Sequence, residues 1–238
     1  HNLAIANHAY FRGDWESARK NCDLSLAYWG EDRRTMGVRV RVECQTGMMK
    51  EAASWLDKMR HTEGYNEFFT ATLLYVALVT ESPEIIDEAL KVSNENRVPT
   101  HRNRISALSA LIDRAIAALL LKDVSAAAKV YEDLLPHEAV HWWPPVTGVL
   151  GDLARLTKSL DAADRHTARA VEQASRANFR PTLGWLNLQW TDILIERNQS
   201  GDHEKAHKYQ DEALSIAREL GMKPLTERIL RRREILRA

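Results

Sequence analysis

The hydrophobic pattern is clearest near the C-terminal end. Ala206, Gln210, Ala213, Leu214, Ala217 and Leu220 recur at i, i+4 and i+7, with charged residues on the other faces. This one-sided stripe is that of an amphipathic helix. Glu204 and Lys208 add an i, i+4 pair on its solvent side, worth ~0.3 kcal/mol. Similar stripes, divided by glycine and proline, predict helices at about 2–12, 15–29, 33–45, 49–61, 65–80, 83–96, 101–121, 124–135, 145–157, 160–177, 182–198, 203–220 and 223–237. Gly13, Gly47, Gly201 and Pro83 fall at turns within helix pairs, and the remaining prolines fall between pairs or at helix starts. The segment Val38–Glu43 alternates like a strand, but the helical frame on both sides predicts helix there.

The stripes themselves repeat. Ala18, Ala52, Ala89, Ala127, Ala163 and Ala206 return every 34 to 43 residues, and most share a local context. Gly13-Asp14-Trp15-Glu16-Ser17-Ala18 is echoed at Gly47–Ala52 and Gly201–Ala206, with a degenerate copy at Lys122–Ala127. Small residues twelve positions before four of these alanines (Ala6, Ala77, Ala115, Gly151) allow neighbouring helices to approach, while Val40 and Leu194 depart from that rule. A period near 34 residues marks helical hairpins that stack into a solenoid. The expected fold is all-α: a right-handed α-solenoid of about six hairpins (about 1–32, 33–64, 65–98, 101–141, 145–178 and 182–221) with a capping helix over 223–238. The whole of 1–238 reads as one such domain.

The spacing and the Gly-Asp-x-x-x-Ala turns resemble the tetratricopeptide repeat family across essentially the whole chain. The family's large aromatic nine residues before each anchor is here Ala9, Glu43, Thr80, Ala118, Ala154 and Arg197, and its tryptophan sixteen before survives only as Trp190. Another class of α-solenoid with coincident alanine spacing is the alternative. The closing segment, from Glu204 through Leu220-Gly221-Met222-Lys223-Pro224-Leu225-Thr226-Glu227-Arg228-Ile229, resembles the final repeat of bacterial multidomain adenylate or guanylate cyclases and signal-transduction ATPases. That resemblance implies a cytoplasmic regulatory or interaction arm of a longer protein, and a first residue of His1 reads as a piece cut from one. Leu225, Ile229 and Leu236 are expected to dock the capping helix on the final repeat.

Composition narrows the functions. Thirty-three basic residues balance thirty-three acidic ones, so neither nucleic acid nor a membrane surface is an expected partner. Cys22 and Cys44 fit free thiols in a reducing compartment, and no apolar run reaches the ~18 residues of a membrane span. No phosphate-binding loop, dinucleotide fingerprint or nucleophile elbow occurs, which leaves nucleotide and serine-hydrolase chemistry unsupported and no cofactor expected.

Two His-Glu-x-x-His strings, His137–His141 and His203–His207, have the spacing of a zinc hydrolase. The second straddles the anchor Ala206, and the first runs into Trp142-Trp143-Pro144-Pro145. Zinc hydrolysis is therefore only a remote alternative, and no metal ligands are assigned. Trp142-Trp143 reads as linker packing or as an exposed anchor for a peptide. Arg231-Arg232-Arg233 reads as a solvated face.

The expected partner is a protein or peptide in the concave groove. The inward-facing polar positions are Asn7, Arg34, Arg41, Asp113, Asp152 and Arg155. Asn7 matches one position of the family's carboxylate clamp, but Leu3 stands where its lysine belongs. Arg34 and Arg41, two turns apart, could hold a carboxylate or phosphate, or pair with Glu31, Asp32 or Glu43. The leading expectation is a non-catalytic protein- or peptide-binding regulatory arm. The alternative is a small-molecule effector sensor that controls an attached cyclase or NTPase.

Overall fold

A computed structural model describes residues 1–63, 66–95, 104–140 and 145–237. Among these the chain forms α1 (Asn2–Arg12), α2 (Trp15–Trp29), α3 (Arg33–Thr46), α4 (Met49–His61), α5 (Asn66–Thr80), α6 (Pro83–Glu95), α7 (Arg104–Leu121), α8 (Val124–Leu134), α9 (Val146–Leu156), α10 (Leu160–Arg176), α11 (Arg180–Arg197), α12 (Asp202–Glu219) and α13 (Lys223–Arg237). A short 3-10 turn, Leu135–His137, follows α8, and the described residues contain no strand. The all-α expectation holds, and the helix ends fall close to the glycines and prolines that mark them.

The strand-like segment lies inside α3. The Asp32 carboxylate caps its start by accepting from the Thr35 amide at 3.2 Å, and Gly47 ends it in left-handed backbone at φ 75°. Val38, Val40 and Val42 are all buried, because α1, α2, α4, α5 and α13 all pack on α3. A helix enclosed on several sides needs no polar face, and its apolar positions can then alternate without forming a strand.

The anchor alanines are buried without exception, at 0 to 3 % exposure. Consecutive helices pair as α1 with α2, α3 with α4, α5 with α6, α7 with α8 and α9 with α10. First helices of neighbouring pairs also meet: α1 with α3, α3 with α5, α7 with α9 and α9 with α11. Second helices meet the next first helix, as α2 with α3, α4 with α5, α8 with α9 and α10 with α11. A small residue suits this packing: Ala163 of α10 clusters with Ala154 of α9 and Ile193 of α11.

These contacts gather the chain into two compact units. Unit 1 comprises 1–96 and 217–238, and unit 2 comprises 97–216. In unit 1 the last helix returns to the first hairpins, since α13 packs on α3 and α5. Leu225 and Ile229 are fully buried there, so the surface that holds α13 includes these early helices and not the final repeat alone; the Leu236 side chain lies outside the described set. Arg228 fastens the contact by donating to the Leu78 and Val79 carbonyls at 2.9 and 3.0 Å. Trp15 donates from Nε1 to the Leu220 carbonyl at 2.6 Å.

Two turn glycines are doubly constrained. Gly13 and Gly47 have φ of 80° and 75°, and a Cβ on either would stand 2.8 Å from Leu220 or 2.9 Å from Lys223. On α12, Lys208 pairs forward with Glu212 at 3.9 Å, which differs from the expected partner Glu204. Arg231 is exposed beside Glu81 at 3.7 Å, while Arg232 and Arg233 are half-buried, so the arginine run is only partly a solvated face.

Candidate functional site

Asn7, Arg34 and Arg41 belong to unit 1. Asn7 is half-buried on α1, and its Nδ2 donates to the Leu3 carbonyl at 2.9 Å, a bond within its own helix. Arg34 is exposed at the first turn of α3, where Nε donates to Asp32 Oδ1 at 3.1 Å. Burial works against ionisation of Asp32, but hydrogen bonds from Thr35 and Arg34 outweigh it and lower its pKa. Arg41 is half-buried two turns on, with Nε donating to the Gly37 carbonyl at 3.2 Å and Cζ 5.3 Å from the centre of the Tyr10 ring. Arg34 thus reaches solvent, and Arg41 packs over an aromatic core.

That core is polar inside. The Tyr10 and Tyr75 hydroxyls are 3.3 Å apart, and Gln45 Nε2 donates to Tyr75 Oη at 2.5 Å. Burial raises the pKa of both phenols, so they stay neutral donors. Cys22 and Cys44 lie buried in the same unit, and burial pushes both thiols up to about 12. Thiols so protonated at neutral pH are poor nucleophiles.

Asp113, Asp152 and Arg155 belong to unit 2. Asp113 is half-buried on α7, and Asp152 half-buried on α9, one turn from Arg155. Arg155 bridges to α11, with Nε 2.8 Å from Glu196 Oε2 and Nη1 3.3 Å from Asp192 Oδ2. Lys158 adds a second cation to Glu196 at 2.5 Å. Trp142 and Trp143 lie outside the described residues.

The positions where the repeat family carries an aromatic hold buried ion pairs in two places. Glu43, 1 % exposed, accepts from Arg19 at 2.7 Å and from Arg39 at 2.8 Å. Arg197 donates to Asp202 at 2.8 Å and to Asp164 at 2.7 Å. These hydrogen bonds, that with Asp202 foremost, raise the Arg197 pKa and lower that of Asp202.

His203 and His207 both lie exposed on α12, one turn apart, whereas His137 falls in the 3-10 turn after α8. Glu138 is engaged elsewhere: Oε1 meets His166 Nδ1 at 2.9 Å and Oε2 accepts from Arg169 at 2.6 Å, while His166 Nε2 meets the Tyr131 hydroxyl at 2.9 Å. Its carboxylate therefore ties the turn after α8 to α10. His141 lies outside the described residues. His203 meets the Asn198 side chain at 2.8 Å, which ties it to the turn between α11 and α12.

A surface that sequence reasoning missed lies on α2. Ala18, Cys22 and Ser25 occupy the buried arc, and Glu16, Lys20, Leu24, Ala27 and Tyr28 lie on the exposed one. Glu16, Arg19, Lys20, Asp23, Leu24 and Ala27 line a shallow, open cleft of about 760 Å³. At its end stand Tyr28, 77 % exposed, and Trp29, 74 % exposed, edge to face at 4.9 Å. Leu24 is 47 % exposed beside them. An available sequence signal was the outer arc itself, where the apolar residues Leu24 and Ala27 and the aromatic Tyr28 follow a charged start.

No protein-family model and no curated protein matches the chain. No described helix is long and apolar enough to cross a membrane.

Proposed function

We propose that this chain is a non-catalytic helical-repeat module that binds another protein segment, with the outer face of α2 as its contact surface. The observation that carries this reading is the exposed group Leu24, Tyr28 and Trp29 bordered by Glu16 and Lys20. Aromatic residues supply much of the energy at protein interfaces, and an apolar centre within a charged border is the usual anatomy of such a surface. The engagement of Glu43, Glu138, Arg155 and Arg197 in packing between helices supports a scaffold role. The recurrent hairpin contacts and the family-like turns support a tetratricopeptide-type solenoid. The likeness of 204–229 to the closing repeats of bacterial signalling proteins supports a regulatory place within a longer polypeptide.

The test is site-specific photocrosslinking in the native cell. A benzoylphenylalanine replaces Tyr28 in one sample and the exposed Lys129 of α8 in another. Discrete protein adducts are expected from position 28 and not from 129. An equal, diffuse background from both positions overturns the reading.

A further inference from the structure

We infer that the partner of the α2 face is a second copy of the same chain, docked antiparallel about a two-fold axis at Leu24. The inference rests on the protein-binding reading of that face. Lys20, Leu24 and Tyr28 follow one another at i, i+4 and i+8 along one row of the helix and are all exposed. The row runs from cation through aliphatic to aromatic, with Leu24 at its midpoint.

Such a row is its own complement. A two-fold axis through Leu24 stacks Leu24 on its symmetry mate and lays each Lys20 against the partner's Tyr28. Both contacts are then favourable, the second as a cation–π interaction formed twice. A parallel copy would keep Leu24 on Leu24 but place Lys20 against Lys20 and lose the cation–π pairing. Ala27, exposed on the same arc, presents only a methyl and lets the two helices come close.

A helix of 15 residues spans about 22 Å, and the contact rests on one short row per copy, so a weak association is expected. Association is accordingly expected with a Kd of about 10 to 100 µM, which makes the dimer responsive to concentration.

The experiment is sedimentation of the full chain over a concentration series spanning that range, joined to the crosslink at position 28. Wild type is expected to pass from monomer to dimer, with a crosslinked adduct of twice the chain's mass. Leu24→Glu should remain monomeric with an unchanged melting temperature, since its side chain is exposed. Tyr28→Lys should weaken association at least tenfold, by setting two lysines against each other at both symmetric contacts. Adding Lys20→Glu to Tyr28→Lys should restore it, because glutamate then faces lysine across the axis.

A wild type that stays monomeric throughout, a Tyr28→Lys dimer as strong as wild type, or a double variant without rescue each overturns the second copy as partner. If position 28 crosslinks discretely to a protein of another mass, the second copy is wrong and the protein-binding reading stands. If it crosslinks to nothing above the control at position 129, both fall.

Discussion

Glu43 in unit 1 and Arg197 in unit 2 occupy the same place in the repeat, nine residues before an anchor alanine, with opposite charge. Their partners correspond too. Arg19 and Asp164 each directly follow the preceding anchor, and they meet Glu43 and Arg197 at the same distance, 2.7 Å. In the repeats between, the corresponding pairs are Ala53 with Thr80, Leu90 with Ala118 and Ala128 with Ala154, none of them charged. Backbone geometry therefore sets which two positions meet at these steps, and the chemistry is free to change if both positions change together. The two networks differ in what surrounds them. Around Glu43 the arginines keep 27 and 16 % side-chain exposure, whereas Arg197 faces Asp202, whose side chain is 2 % exposed.

That difference orders the expected effects of mutation. Arg197→Met should be the most damaging, because it leaves the buried Asp202 carboxylate with the Gln199 amide but without its ionic partner; a loss of ~3 kcal/mol is expected in urea unfolding. Glu43→Gln should cost less, ~2 kcal/mol, because both arginines can turn toward water. The reverse order would show that exposure of the stranded partner does not set the penalty. The combination Arg19→Asp with Glu43→Arg copies the polarity of unit 2 into unit 1. It should recover ~1–2 kcal/mol relative to the sum of the single changes, measured as a double-mutant cycle. Strict additivity would separate the two sites.

Acid should test the Asp202 pair directly. The hydrogen bond from Arg197 holds Asp202 below the ordinary carboxylate pKa. Its stabilising contribution is therefore complete above the unfolded value of about 4 and is lost as pH falls through the lower, folded value. Asp202→Asn should be less stable than wild type near pH 6, and the difference should shrink as pH falls below the ordinary carboxylate range. A difference that is constant across that interval would break the assignment. The smallest effect belongs to Arg34→Ala, whose exposed pair with Asp32 should contribute less than ~0.5 kcal/mol.

Much of the fold was legible because helix ends depend on local chemistry. Glycine at 13 and 47 and proline at 83 and 224 fix where the backbone turns or a helix can begin, whatever packs above them. The anchors were equally readable, since only a small side chain suits a three-helix contact. The return of α13 to α3 and α5 was not, because the repeat frame specifies neighbours in sequence and carries no signal for contacts some 150 residues apart, such as Arg228 with Leu78. The ion pairs were half visible: Glu43 and Arg197 stand where the resembling family has an aromatic, and the matching changes at Arg19 and Asp164 would have completed the signal. Trp29 misleads for a different reason. It falls on the buried arc of α2 with Ala18, Cys22 and Ser25, yet α2 is four residues longer than α1, and its last turn is left uncovered.

The docking of α13 has a consequence for how the protein is made. A ribosome releases residues 1–96 first, then all of 97–216, and only afterwards the segment that completes unit 1. At ordinary rates of synthesis that interval is on the order of 10 s, far longer than helical hairpins need to form. Unit 2 can thus be finished while the early hairpins still wait with the α13 surface of α3 and α5 bare. During that interval the nascent chain presents an apolar seat sized for one helix, and a competing segment, or a chaperone, has its one opportunity to occupy it.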